Sequence, residues 1–529
     1  MEKSLQVRMM KHVYSAAYQT FAWLGEPRAD GAAAAIASMR SASHELPQQT
    51  DGINTMPQEC VCAASASSDE THNQDILPCH ICQTKSTFQN IENLFNQGYW
   101  QRRWIVQEIA ASARVRFGCG KEIIDLQKLQ ETVVQHEKSS YWKPANDTAC
   151  RHFRKIASLR HRQYVAGTLT LCHALVKTQE FMSKDARDRL YAVVGIGYDG
   201  PDLIPNIDYR QSDNEIARDF TRSLIRRNGC FDIITADRSR DFRSDGLPSW
   251  SPNWLSGNLP SDEHFQECTR PRSSFDGLPT GSPNWLLGNS PRDEHFDEYL
   301  RPDEPTRTRP LLLSHEFRQR CLDGHPNTLV TEGLLIGTID RMTSAINEGS
   351  NLENIGSGFG RSQTGSGVKS MEYYGGSKKL LTGLLRCLLI RKEDWWQVKS
   401  CEYGDSLVCK HSGKLVLCDT GMLAMSSQYS EIGDHICLLA GCATPVVVRR
   451  KPGGSPWVDP QRRVYEVVGS ALVSLSERDR EPLLAFIGDR ERLRPFYYQF
   501  YEAENGLSWY EREISKLRKH DDWQEFVLV

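Results

Sequence analysis

The chain has 529 residues, 39% hydrophobic and 25% charged, and its 64 basic and 67 acidic side chains leave a net charge of −3. That length allows two to four structural units with at least one sizeable core, while the near-neutral balance gives no reason to expect a nucleic-acid partner or an anionic membrane surface. No run reaches the ~18 apolar residues of a membrane-spanning helix, and the first residues lack the apolar core of a signal peptide.

Leu5, Met9, Val13 and Ala16 or Ala17 recur at helical spacing, which predicts an amphipathic helix over 3–19 with Tyr14 beside its stripe. Thr20-Phe-Ala-Trp23-Leu24 then reads as a short apolar strand ended by Gly25-Glu-Pro27, and the alanine-rich stretch 31–40 as a second helix. Residues 41–86 are polar and read as a long disordered surface insertion. Trp100, Trp104 and Glu108 stand at i, i+4 and i+8, which on one helix places the carboxylate on the same face as two indoles. Ala113 to Phe117 predicts a strand, with a turn at Gly118-Cys-Gly120 and a helix from Ile123 to Glu137. Helical patterns follow over 150–182, 185–195 and 214–228.

Asp245-Gly-Leu-Pro-Ser-Trp250-Ser-Pro-Asn-Trp254 is echoed by Asp276-Gly-Leu-Pro-Thr-Gly281-Ser-Pro-Asn-Trp285, a tandem duplication rather than a solenoid. Residues 345–378 read as a Gly/Ser-rich linker. Short β-type runs over 407–448 and 464–475 predict a small antiparallel meander, followed by a charged helical tail. The segments therefore run 1–125, 126–240 (a helical extension), 241–305 (duplicated loops), 306–344 (strand-containing), 345–378 (linker) and 379–529 (β-rich).

Several of these segments, in order, resemble the fungal heterokaryon incompatibility (HET) domain proteins. Gln6-Val-Arg-Met-Met-Lys-His-Val-Tyr14 and Phe21-Ala-Trp23-Leu-Gly25 resemble that family's "QV..M..IY" helix and "VWLG" strand. Trp100-Gln-Arg-Arg103-Trp104-Ile-Val-Gln107-Glu108 resembles its "W..R.W..QE" element. Asp185-Ala-Arg187-Asp188-Arg-Leu-Tyr191 resembles "D.RD.IYALLG", and Leu247-Pro-Ser-Trp250-Ser-Pro-Asn-Trp254 resembles "LPSW.PDW". Gly433-Asp434, Pro445 to Arg449 and Tyr465 to Gly469 resemble a barrel-like tail that many members carry. The family's opening strands, of the types "Y.ALSY.WG" and "WIDA.CINQ", are not in this sequence. The resemblance implies an α/β protein: a truncated HET domain similar to Toll/interleukin receptor-like (TIR) folds, then helices, then a small β-rich C-terminal domain.

The same resemblance implies an effector of non-self recognition and programmed cell death, with sensor proteins or further copies of itself as partners. Some TIR-like folds cleave NAD with a single glutamate, which makes Glu108 the candidate catalytic residue and NAD the candidate substrate. The competing reading of Glu108 is a buried ion pair with an arginine such as Arg187. A non-catalytic interaction module or inert remnant is a third reading. Arg187-Asp188-Arg189 serves either as an anion-binding or interface element or as local pairs behind a cap at Asp185. Cys60, Cys62, Cys79 and Cys82 have the spacing of a zinc site, although their polar surroundings favour thiols in a loop. The 16 cysteines are scattered, which fits reduced thiols and a cytoplasmic location. Gly356-Ser-Gly358-Phe-Gly360 lacks a strand–helix context and reads as linker. His264 and His295 recur through the duplication, and Cys172-His173 reads as packing.

Overall fold

The computed structural model describes residues 2–26, 31–41, 90–137, 148–163, 167–228, 231–236, 246–256, 259, 315–342, 396–401, 404–409, 413–419, 423–442, 445–473 and 523–529. The chain divides into two units, Met1–Tyr209 and Arg210–Val529. Helices and sheets both contribute, as an α/β reading requires, and no helix among the described residues is long and apolar enough to cross a membrane.

The first unit is built on a small sheet in the order β1 (Thr20–Gly25), β2 (Val115–Cys119), β3 (Glu122–Asp125). β1 runs parallel to β2, with Thr20 opposite Val115 and Ala22 opposite Phe117. β2 and β3 form a hairpin that turns at Gly120, whose φ of +58° favours glycine. Ala22, Val115, Phe117 and Ile124 are buried on one face. Phe21 and Trp23 project from the other, with Phe21 lying over Gly118; a Cβ there would meet its ring at 2.4 Å. Ile123 and Ile124 thus sit in a strand, contrary to the helix expected from Ile123. The period changes from two to helical only at α4 (Leu126–Glu137), where Leu126, Leu129 and Val133 are buried.

Around the sheet lie α1 (Glu2–Ala16), α2 (Ala32–Ser41), α3 (Ile105–Ala110), α5 (Thr148–His161), α6 (Leu171–Lys177), α7 (Asp188–Val194) and the single turn α8 (Gly200–Leu203). The orientation of α1 departs from its sequence pattern. Leu5, Met9 and Val13 are 58%, 52% and 58% exposed, and the apolar side chain it buries is Val7. Polar contacts set this rotation: Ser4 Oγ accepts from the Tyr209 N–H at 3.4 Å, and the Lys11 N–H faces the Gln107 amide.

In the second unit, α9 (Asp213–Asn228) and α10 (His315–Leu322) accompany a closed sheet. Its strands are β4 (Leu329–Met342), β7 (Gly413–Cys418), β8 (Leu423–Ser427), β9 (His435–Leu439), β10 (Val446–Arg450), β11 (Val464–Val473) and β12 (Trp523–Leu528). A separate hairpin joins β5 (Trp396–Cys401) to β6 (Gly404–Cys409). The long strands β4 and β11 each change neighbours along their length. β4 pairs with β12 and β9 first and with β7 at its end, while β11 pairs with β10 and β12 and then with β8. The ring β4-β9-β10-β11-β8-β7 therefore closes on itself, and β12 fills the gap between β4 and β11 at one end. Ile336, Ile339, Val416, Ile436, Val447, Val468 and Ala471 form its core. This is more than the expected meander, because β4 and β12 join it from distant segments and β11–β12 is a parallel pair. The linker 345–378, the second copy of the duplication and residues 474–522 lie outside the described residues.

Asp434, at 1% exposure, anchors the turn before β9. Its carboxylate takes a bidentate bond from Arg449 at 2.7 and 2.8 Å and a third from the Glu431 N–H at 2.8 Å. Removing one partner of a buried pair strands the other charge. Asp434→Ala is expected to lower the unfolding free energy by about 3–5 kcal/mol, measured by chemical denaturation of the full chain. A loss below 1 kcal/mol, as for a surface pair, would refute this.

Candidate functional site

The segment that carries Trp100, Arg103, Trp104, Gln107 and Glu108 is not one helix. Gly98–Gln101 forms a 3₁₀ turn, Arg102 is extended (φ −75°, ψ 132°), and α3 starts only after Trp104. The break lies where the main chain pairs with a second segment: Arg102 bridges Met182, the Arg103 N–H donates to Met182 O at 2.9 Å, and the Met182 N–H donates to Gln101 O at 2.7 Å. Trp100 therefore does not share a helix face with Glu108. It is fully buried among Phe95, Phe117 and Phe153, with Nε1 donating to Leu94 O at 2.8 Å.

Arg103 is the reason the chain bends. Its guanidinium, buried with the rest of the side chain, donates to the carbonyls of Arg189 (2.7 Å), Thr178 and Phe181. Thr178 caps the C-terminus of α6, where carbonyls lack helical partners and the helix dipole favours a cation. Burial pulls the guanidinium down to about 9, still on the charged side of neutrality. Gln107 is buried next to it. In the amide orientation that satisfies both groups, Oε1 accepts from the Lys11 N–H at 2.9 Å and Nε2 donates to Ala192 O at 3.3 Å. Gly195 leaves room for that amide, since a Cβ would lie 2.6 Å from it.

Trp104 is half-buried and donates Nε1 to Asp188 Oδ2 at 3.2 Å, so the two motifs lock along α3 and α7. Asp188 also accepts from the Tyr209 hydroxyl and lies 3.6 Å from Lys3 Nζ. Arg187 does not pair with Glu108. Its Nε and Nη2 bind the two carboxylate oxygens of Asp185 at 2.9 and 3.0 Å, and its Nη1 binds Tyr209 O. That guanidinium holds the Asp185 carboxyl below its ordinary range. The Tyr191 hydroxyl sits against the backbone of Asp208 at 3.3 and 3.4 Å.

Glu108 is enclosed by phenols rather than indoles. The Tyr99 hydroxyl donates to its Oε2 at 3.3 Å, and among the described residues no cation pairs with it directly. Burial raises its carboxyl above the usual 4.5, against an opposing pull from Arg102 and Tyr99. Tyr14 is pushed up to about 12, by burial first and then by the Glu108 charge, and Tyr99 rises further for the same reasons. A half-buried carboxylate beside two tyrosines and an exposed arginine can bind a polar ligand, stabilise a developing positive charge, or exchange a proton. Tyr99, Tyr14 and Arg102 are the members that sequence spacing missed, because only the extended turn at Arg102 brings Tyr99 back over α3.

Other candidates fall elsewhere. Trp23 and Gly25 lie on β1, with Trp23 half-exposed and Gly25 at φ +120°. Trp250 and Trp254 are buried in the second unit, donating to Asn327 O at 3.2 Å and Thr221 Oγ1 at 2.9 Å. His173 is pulled down to about 3 by burial, so it packs as a neutral ring. Cys60, Cys62, Cys79 and Cys82 lie outside the described residues. Among those described, no three His, Cys, Asp or Glu side chains gather as a metal site.

The model of the family "Heterokaryon incompatibility protein (HET)" matches residues 1–108, a span that ends on Glu108. Residues 1–108 are thus similar to the HET family. "Heterokaryon incompatibility protein 6, OR allele" of Neurospora crassa is 24% identical over 292 residues, covering 48% of this chain and 42% of that protein. The chain thus matches less than half the length of this curated relative. No solved structure matches it. The HET match takes in Arg103, Trp104 and Gln107, but Thr178, Asp188 and Ala192, to which they respectively bond, lie beyond it.

A raised carboxyl pKa has a thermodynamic sign. The folded state holds the Glu108 proton more tightly than the unfolded chain, so stability falls as pH rises from 4.5 through the raised value. Relative to Glu108→Gln, the wild type should lose melting temperature progressively over that window and run parallel to it below pH 4.5. Parallel melting curves from pH 4 to neutrality would contradict the buried setting of this carboxylate.

Proposed function

We propose that this chain is an effector of fungal heterokaryon incompatibility, acting in non-self recognition and programmed cell death through protein partners in the cytoplasm. The observation that carries this reading is the match of residues 1–108 to the HET family, supported by a relative whose printed name is that of an incompatibility protein. The packing of that segment supports it too, because Arg103, Trp104 and Gln107 are all engaged in one docked arrangement. Induced expression of the full chain in a filamentous fungus should arrest growth and admit a membrane-impermeant dye, while Arg103→Ala should be inert. Normal growth of wild-type transformants with the protein present would end the proposal.

A second reading is favoured by the enclosed Glu108. A carboxylate beside Tyr99 and Tyr14 could stabilise the positive charge that develops at a ribosyl centre when NAD loses nicotinamide. On this reading Glu108 acts in its ionised form, so the rate rises with pH through its raised pKa. Glu108→Gln should lower nicotinamide release by roughly 100-fold or more, the scale of a lost electrostatic stabiliser. If the wild type releases no nicotinamide from NAD, the enzyme reading falls and the effector reading survives.

A further inference from the structure

Charge is unevenly spread along this chain. From Thr148 to Gln179 the sequence carries Arg151, Arg154, Lys155, Arg160, Arg162 and Lys177 and no Asp or Glu, although the whole chain has a net charge of −3. Several of these cations converge where α5 and α6 meet. Arg162 O accepts from the Thr168 N–H at 3.1 Å, which folds the chain back from α5 toward α6. Lys155 Nζ pairs with Glu180 Oε2 at 2.7 Å, just past the end of α6. Arg151 and Lys177 reach solvent, and among the described residues no carboxylate pairs with either. These groups sense one another. The Lys155 bond, then the charges of Lys155, Arg151 and His152, hold the Glu180 carboxyl low against some burial. Partial burial, then the charges of Arg162 and Lys155, pull the Lys177 ammonium down. Four cations therefore share one carboxylate.

Two imidazoles back this cluster. His152 is 8% exposed, its ring lies 4.5 Å from that of Phe181, and among the described residues its Nε2 has no hydrogen-bond partner. His173, one turn before Lys177 on α6, likewise buries an unpartnered Nε2. Burial, then the charges of Arg162 and Lys177, keep His173 neutral. A neutral imidazole with its proton on Nε2 is a donor, and a buried donor left without an acceptor is costly.

We propose that this cluster binds a small organic polyphosphate, held by Arg151, Lys155, Arg162 and Lys177, with His152 and His173 as neutral donors behind them. An anion there supplies the missing acceptors and relieves the repulsion among the cations. Phosphate suits the site because its several acceptor oxygens take ammonium, guanidinium and imidazole donors together. More than one phosphate is needed, because Glu180 offsets only one of the four cations. A nucleic-acid strand fits less well. It needs an exposed track with aromatic faces for its bases, whereas Phe153 and Phe181 beside this cluster are buried. None of these side chains belongs to the Glu108 cluster, so the inference stands apart from both readings of the proposed function.

Isothermal titration calorimetry of the full chain with inorganic tripolyphosphate, in metal-free buffer, tests it. Tripolyphosphate should bind one site per chain and more tightly than sulfate, which is too compact to engage all four cations. Lys177→Gln and Arg151→Gln should each weaken it roughly tenfold, the scale of one charge-assisted hydrogen bond. Lys121→Gln, at an exposed lysine in the β2–β3 turn, should bind as wild type. Glu180→Gln should tighten binding several-fold because it frees Lys155, a gain that a purely structural ion pair does not predict. Circular dichroism melts establish that the variants fold, and Arg151→Gln carries the expectation alone if Lys177→Gln does not. The proposal is overturned if wild type gives no heat of binding, if sulfate binds as tightly, or if the folded Lys177 and Arg151 variants keep wild-type affinity. A Glu180→Gln variant that binds no tighter, or a single-stranded oligonucleotide that binds more tightly than tripolyphosphate, overturns it as well.

Discussion

One buried cation organises the first unit. Arg103 sits at the C-terminal end of α6 and donates to three main-chain carbonyls, Thr178, Phe181 and Arg189, from two segments far along the chain. Among the described residues no carboxylate pairs with it; carbonyl dipoles and the helix end offset its charge. The arrangement recurs. Arg160 donates to Ile109 O at 2.7 Å and Ala113 O at 3.0 Å past the end of α3, and Arg222 in the second unit donates to Leu322, Pro326 and Thr328 O past α10. A guanidinium has five donors in a fixed fork, which suits the several orphan carbonyls of a helix terminus better than a lysine could.

The candidate site follows from that anchor. Because the Arg103 side chain must reach inward, the chain is held extended at Arg102 and cannot continue the helix from Gln101. The turn then folds Tyr99 over α3, within reach of Glu108, and leaves Trp104 to meet Asp188. The Gln107 amide, between Lys11 and Ala192, closes α1 and α7 over the same short helix. Burial of the Glu108 carboxyl is thus a consequence of packing around a neighbour, and its raised pKa records how little solvent that packing leaves.

Local elements were legible where a residue period or a breaker defined them: β1 between a polar helix end and Gly25, the alanine-rich α2, and α9 with its strong amphipathic pattern. The segment 100–108 was legible as a unit but not as a shape. Indole spacing of four suggested a helix face, and nothing local announces that Arg102 pairs with Met182. The face of α1 was misread for a related reason: apolar spacing assigns Leu5, Met9 and Val13 inward, whereas polar contacts at Ser4 and Lys11 fix the rotation. Asp185, Arg187 and Asp188 were legible as a local network, yet their engagement of Tyr209 and Trp104 is tertiary. The barrel was half-legible. Its hairpin strands show alternation, but β4 and β12 enter by pairings across long sequence separations that no local pattern encodes.

Hydrogen exchange of main-chain amides in Arg103→Lys against wild type tests the central claim most directly. Lysine keeps the charge and loses the fork, so protection at Gln101–Ala111 and at Thr178–Ala192 should fall together, while that of the β9–β10–β11 strands stays unchanged. If the lysine variant keeps wild-type protection in both segments, Arg103 does not hold them together and the account of this unit is wrong.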